Sequence, residues 1–285
     1  MNADLAHRPR VLTLNALWPG RGGGIVQDLA TLQALGCEGE ALPTCSVNVP
    51  GDAEWVELAN IPWLLRQLEA LLAQGDLRAV RLGHLGSPEL VAALGALLPK
   101  AGVILVVTGA CCKDPLRGLK ADLLAAVGQH LLPHADLLAM NREEVEALLG
   151  STLHSPAAVE SAGRAILALG PRRLVFTVVG GDVAHQQDLY SDPTGTWWVT
   201  SPLPKILPGI GGVLDSALTA ALVQPRYQPK DLLPLARGYA NAATRLGHQA
   251  GAERPICGAW PSEPSDLPWR TATSAEGLNR PALPG

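Results

Sequence analysis

The sequence is short of charge, of aromatic residues and of long apolar runs. Asp, Glu, Lys and Arg make up 17% of its 285 residues, and Phe, Trp and Tyr only 4%. Its 22 Lys and Arg against 26 Asp and Glu leave a net charge of −4, which is no footprint for nucleic acid or an anionic membrane. No apolar run approaches the ~18 residues of a membrane span; clean ones such as Val103–Val107 are far shorter. A basic segment followed by an apolar stretch is absent from the N-terminus, so the expectation is a cytoplasmic protein without a secretory signal. The five cysteines (Cys37, Cys45, Cys111, Cys112 and Cys257) are odd in number and match neither a disulfide framework nor a CxxC metal site. Reduced thiols are expected.

What is there is apolar and rich in turns: 47% hydrophobic residues, 30 Gly and 24 Pro. Short strand-like runs alternate with stretches of helical period. Arg10–Leu17 reads as a strand, and Ile25–Leu35 as a helix with Ile25, Leu29, Leu32 and Leu35 on one face. The alternation continues through a helix around Leu64–Leu72, a strand at Ala79–Leu82, a helix at Pro88–Leu98 and a buried strand at Gly102–Val107. It goes on through Leu119–Leu131 (helix), Asp136–Ala139 (strand), Arg142–Leu149 and Pro156–Leu169 (helices) and Leu174–Val179 (strand). Thr196–Thr200 reads as an edge strand or hairpin arm, with helices at Val213–Leu222 and Leu232–Leu246. Such alternation predicts right-handed crossovers around a mainly parallel sheet. No linker appears before about residue 250, so residues 1–250 read as one domain. Residues 251–285 read as a tail with many prolines, docked through Trp260 and Trp269 or left unstructured.

Four segments are candidates for chemistry. Gly22-Gly23-Gly24 lies between a strand and a helix, where backbone can approach a ligand or simply turn tightly. Gly209-Ile210-Gly211-Gly212 opens a helix and forms either a phosphate-binding nest of N–H groups or a flexible glycine cap. Asn141 and Glu144 have capping-box spacing, and their oxygens also suit Mg²⁺ and its waters. Gly180-Gly181-Asp182 ends a buried strand, either facing a nucleotide or turning out of the sheet.

In this order the segments resemble the ribokinase superfamily, and within it the hydroxymethylpyrimidine/phosphomethylpyrimidine kinases of thiamine biosynthesis. Gly22–Gly36 (GGGIVQDLATLQALG) is similar to that family's GGAGIQADLKTxxALG. Arg81-Leu82-Gly83 stands for K-I-G, Asn141-x-x-Glu144 for N-x-x-E, Gly180-Gly181 for the K-G-G turn and Gly209-Ile210-Gly211 for G-T-G, with Asp114-Pro115-Leu116 in register between them. The resemblance spans about residues 10–246. It implies a ribokinase-like three-layer α/β/α sandwich, ATP with Mg²⁺, and phosphoryl transfer to a pyrimidine's hydroxymethyl or to its phosphate. A homodimer is what the family suggests.

Carried over position by position, the resemblance assigns Gly211 and Gly212 to the transferring phosphate. Asn141, Glu144, Gly180, Gly181 and Gly209 fall to the nucleotide, with Glu144 toward the metal. Gly23, Gly24, His84 and Val107 fall to a pyrimidine-like substrate, and Lys113 to the loop over it. The departures are in the reactive side chains. Ala16-Leu17-Trp18 replaces G-S-D, Val49-Pro50 the Gln-Asn pair, His84 a methionine, Val107 an aspartate, Val179 a lysine, and Gly212 the catalytic Cys or Asp. Asp215 lies about 4.5 Å further along the helix axis, nearly on the same face. It is either a substitute base or an acidic residue favoured by the helix dipole. His84 is a candidate to bond a pyrimidine nitrogen or a phosphate, or a histidine satisfied by backbone. Three readings follow: a kinase of this type, a relative that binds a pyrimidine or nucleotide without turnover and regulates or scaffolds a partner, and a kinase for another ring alcohol such as pyridoxal.

Overall fold

The computed structural model describes residues 8–19, 23–48, 55–182, 184–202, 207–252, 254–257 and 270–272. In chain order the elements are β1 (Arg10–Leu17), α1 (Ile25–Ala34), β2 (Glu38–Asn48), β3 (Trp55–Leu58), α2 (Ile61–Leu72), β4 (Leu77–Leu82), α3 (Pro88–Leu97) and β5 (Ile104–Thr108). There follow β6 (Lys113–Asp114), β7 (Gly118–Leu119), α4 (Ala121–His130), β8 (Leu137–Asn141), α5 (Arg142–Leu149), α6 (Pro156–Leu167) and β9 (Leu174–Gly181). The last are β10 (His185–Asp192), β11 (Gly195–Pro202), α7 (Ile210–Leu222), α8 (Pro229–Gln249) and β12 (Arg270–Ala272).

One ten-stranded sheet runs β12-β11-β10-β9-β8-β5-β4-β1-β2-β3. From β2 to β9 its neighbours are parallel, and the antiparallel strands sit at the two edges. Alternate residues of the central strands enter two separate cores. Leu12, Leu14, Val80, Leu82, Leu105 and Val107 pack with the apolar faces of α2 to α6. Val11, Ala79, Val106 and Ala139 pack with α1, α7 and α8 on the other face. These are the three layers expected, because a strand buried on both faces must be apolar at nearly every position.

The structure adds strands that the sequence pattern did not announce: β2, β3, β10, β12 and the small β6–β7 pair. β10 (HQQDLYSD) is polar by composition yet largely buried, since its polar groups find partners inside. Asp188 is held by Arg237 of α8 at 2.6 and 2.9 Å, and Gln186 by Ser201 and Asn241 at 3.2 and 3.3 Å. Helix α7 starts at Ile210 rather than Val213, which brings Gly211 and Gly212 into its first turn. After α8 the chain returns to the body: Ile256 N donates to Ala243 O at 3.0 Å, Cys257 Sγ accepts from Gln27 Nε2 at 2.7 Å, and Arg270–Ala272 pairs with β11. Trp260 and Trp269 lie outside the described residues. All five cysteines are unpaired. Among the described residues no helix is long and apolar enough to cross a membrane.

Candidate active site

At the carboxyl edge of β1, β4, β5, β8 and β9 lies a cleft of about 350 Å³. It is the place where parallel strands end and helices begin, so backbone N–H groups and strand-end side chains converge there. Gly23, Gly24, His84, Lys113, Asn141, Glu144, Gly209, Gly211, Gly212 and Asp215 all line it. The other three candidates, Gly180, Gly181 and Val107, do not line it.

The phosphate end is built from two glycine turns that abut. A Cβ on Gly23 would lie 3.9 Å from the Gly209 Cα. Gly24 has φ +69° and its missing Cβ would sit 2.2 Å from the Ala16 carbonyl oxygen, so only glycine fits where α1 leaves β1. Gly209 precedes α7 at φ +91°, and no side chain caps that helix. The first-turn amides, those of Gly211 and Gly212 among them, have no partner within the helix. They form an anion site of the kind a helix N-terminus provides.

Beneath these turns lies a buried charge network. Asp28 on α1 is fully buried, and its Oδ2 accepts from Arg81 at 2.6 Å and from Thr13 and Asn15 at 2.8 Å each. Its Oδ1 accepts from Ser216 at 3.0 Å. The other end of Arg81 reaches Asp215, Nη2 to Oδ2 at 3.6 Å. Asp215 thus borders the cleft with only a loose counter-ion, its side chain 16% exposed. Burial pushes its carboxyl from 3.8 up to about 7, with Arg81 opposing that rise and Glu144 and Asp28 adding to it.

The opposite wall is the Asn141–Glu144 turn. The capping box is complete: Glu144 N donates to Asn141 Oδ1 at 3.0 Å, and Asn141 N to Glu144 Oε2 at 2.7 Å. Glu144 Oε1 also carries Lys113 Nζ at 2.6 Å. A Cβ on Gly109 would collide with Glu144 Oε2 at 1.7 Å, so the glycine after β5 makes room for this carboxylate. Asn141 and Glu144 therefore cap a helix and line the cleft at once.

The remaining candidates lie elsewhere. Gly180 and Gly181 pair with β10 in an antiparallel hairpin, where a Cβ would meet Gln187 Oε1 at 2.5 Å or the His185 carbonyl oxygen at 2.2 Å. Val107 is buried in the core with Leu82 and Leu138, while Gly109 and Ala110 reach the cleft from the same strand end. Gly22 and Val49-Pro50 lie outside the described residues.

Three residues of the site were given no role from sequence: Asn15, Asp28 and Arg81, the last named only as a motif position. A signal existed for two of them. Asp28 is a charged residue on the apolar stripe of α1, and Arg81 interrupts an apolar strand. Asn15 gave none, although its Oδ1 accepts from Ala16 N and His84 N, both at 2.8 Å, and so ties β1 to the end of β4.

A family model described as phosphomethylpyrimidine kinase matches residues 19–256. The chain belongs to the phosphomethylpyrimidine kinase family. A hydroxymethylpyrimidine/phosphomethylpyrimidine kinase from Streptomyces coelicolor is 29% identical over 249 residues, covering 85% of this chain and 91% of its own. One from Rhizobium meliloti is 30% identical over 217 residues, 72% and 79% of the two chains. The pyridoxal kinase from Staphylococcus aureus, in complex with AMP-PCP, superposes with a TM-score of 0.75 at 25% identity, covering 84% of this chain and 89% of that one. The position read from sequence as the family's catalytic one is Gly212. A Cβ there would meet only Asp28 Oδ1, at 3.5 Å, an ordinary contact.

Proposed function

We propose that the protein is an ATP-dependent kinase that phosphorylates the hydroxymethyl group of a pyrimidine-like ring, or its phosphate, with Asp215 as the general base. The observation that carries this is the Asp215 carboxyl, bordering the cleft beside the first turn of α7 with its protonation midpoint raised to about 7. A base poised near the working pH both exists as carboxylate and accepts a proton readily.

In this reading ATP supplies the phosphoryl group, and Mg²⁺ neutralises charge on it. Mg²⁺ is commonly held by one or two carboxylates beside substrate phosphates rather than by an all-protein cage. That suits this cleft, where Glu144 lines the wall and no group of three or more His, Cys, Asp and Glu among the described residues encloses a metal. Glu144 would hold the ion. The Gly211 and Gly212 amides donate to the transferring phosphate, Asp215 takes the proton from the acceptor hydroxyl, and Lys113 covers the site as a point charge. Gly180 and Gly181 would border the nucleotide only at its far end, since they do not line the cleft.

The test is ATP consumption with hydroxymethylpyrimidine, its phosphate and pyridoxal, in wild type, Asp215→Asn and Gly212→Cys. Turnover by wild type that Asp215→Asn loses supports the relocated base. Turnover only in Gly212→Cys supports a binding protein in its place.

A further inference from the structure

His84 follows β4 at the edge of the cleft, and its backbone is held on both sides. Its N–H donates to Asn15 Oδ1 at 2.8 Å, and its carbonyl accepts from Thr44 Oγ1. The ring Nδ1 lies 3.2 Å from the Lys113 carbonyl oxygen. A carbonyl can only accept, so Nδ1 must carry the proton, and a neutral imidazole then presents Nε2 as an acceptor. Burial pushes the ring below the ordinary histidine range, and the Lys113 and Arg81 cations push the same way, against the Lys113 carbonyl and Asp28. The ring is therefore neutral near neutral pH. Nε2 has no protein partner among the described residues, and His84 lines the cleft.

We propose that His84 Nε2 is a specificity-determining acceptor that selects ring alcohols carrying a hydrogen-bond donor, an exocyclic amine above all. This rests on the proposed function only for seating a ring alcohol in this cleft. Neither of the roles expected from sequence suits a neutral Nε2: a pyrimidine nitrogen and a phosphate oxygen are acceptors too. A ligand without a donor strips water from Nε2 and returns nothing, and a site built around a polar group rejects the analogue that lacks its partner.

The probes are hydroxymethylpyrimidine with its exocyclic amine and the analogue with hydrogen in its place, their affinities measured by calorimetry without ATP. Wild type should favour the amine by about tenfold, the scale of one hydrogen bond. His84→Asn keeps a donor where Nδ1 was and removes the acceptor, so the preference should collapse. His84→Gln restores an acceptor near the position of Nε2 and should recover part of it, whereas a merely structural ring would make Asn the milder change. In nitrogen-labelled wild type, the Nε2 resonance should shift with the amine and not with its analogue, a readout that needs no variant to fold. Equal affinity for the two probes, binding of neither, or a preference that survives in His84→Asn overturns the proposal. Binding discrimination without any ATP turnover would overturn the kinase reading and leave this one standing.

Discussion

The first turns of α1 and α7 are built alike and used differently. Each follows a glycine of positive φ, Gly24 or Gly209, each lacks a side-chain cap, and each helix brings an aspartate toward Arg81. Asp28 of α1 is saturated by Thr13, Asn15, Arg81 and Ser216. Among the described residues, Asp215 of α7 has only Arg81 as an ion-pair partner, at 3.6 Å. A carboxylate with both oxygens engaged by four donors is a fixture of the fold, whereas one buried with a loose partner has a raised affinity for a proton. One guanidinium thus holds one of two like charges firmly and the other loosely, and the proposed function makes the loosely held one the reactive group.

Each arm of that contrast can be broken. Asp215→Asn should cost about 10²–10⁴ in kcat, the usual worth of a general base; a loss under threefold would remove the reactive role. Asp28→Ala leaves Arg81 buried without its main partner and should destabilise by about 3–5 kcal/mol in urea unfolding. An equal loss in Asp215→Ala would erase the difference between the two.

Gly24→Ala should cost about 1–3 kcal/mol, because its φ and the Ala16 carbonyl both oppose a side chain. The pH dependence comes next. Catalysis should fall about tenfold per pH unit below the Asp215 midpoint of about 7, where the base is protonated. Stability should run the other way. A carboxyl raised from 3.8 to about 7 binds its proton more tightly in the folded chain, so its contribution is full below 3.8 and is lost as pH climbs to about 7. Asp215→Asn should flatten that slope in thermal melts. The smallest effect is expected of Gly211→Ala, within about 1 kcal/mol, since nothing lies within 4 Å of its missing Cβ.

Much of the central fold was legible because its strands are buried on both faces and its helices on one, so burial is written into their periodicity. The strands from β1 through β4, β5, β8 and β9 were read in this way; β11 was also read, as an edge strand or hairpin arm, and it is a hairpin arm paired with β10 and β12 rather than an edge. β10 escaped because its burial depends on partners, Arg237 and Asn241, that come from α8 some 50 residues later. The turns at Gly23-Gly24 and before α7 were legible as turns, but Gly180 and Gly181, expected as a turn, are the last residues of β9 paired with β10, and the approach of Gly23 to Gly209 was not readable.

By itself, the sequence determined the alternation of strands and helices and the family, since each is a property of local pattern or of order along the chain. The division of labour between Asp28 and Asp215, the engagement of Glu144 by Lys113 and the tautomer of His84 were decided only by the tertiary structure. Each depends on distances between residues far apart in the chain, and on how much water is removed from them.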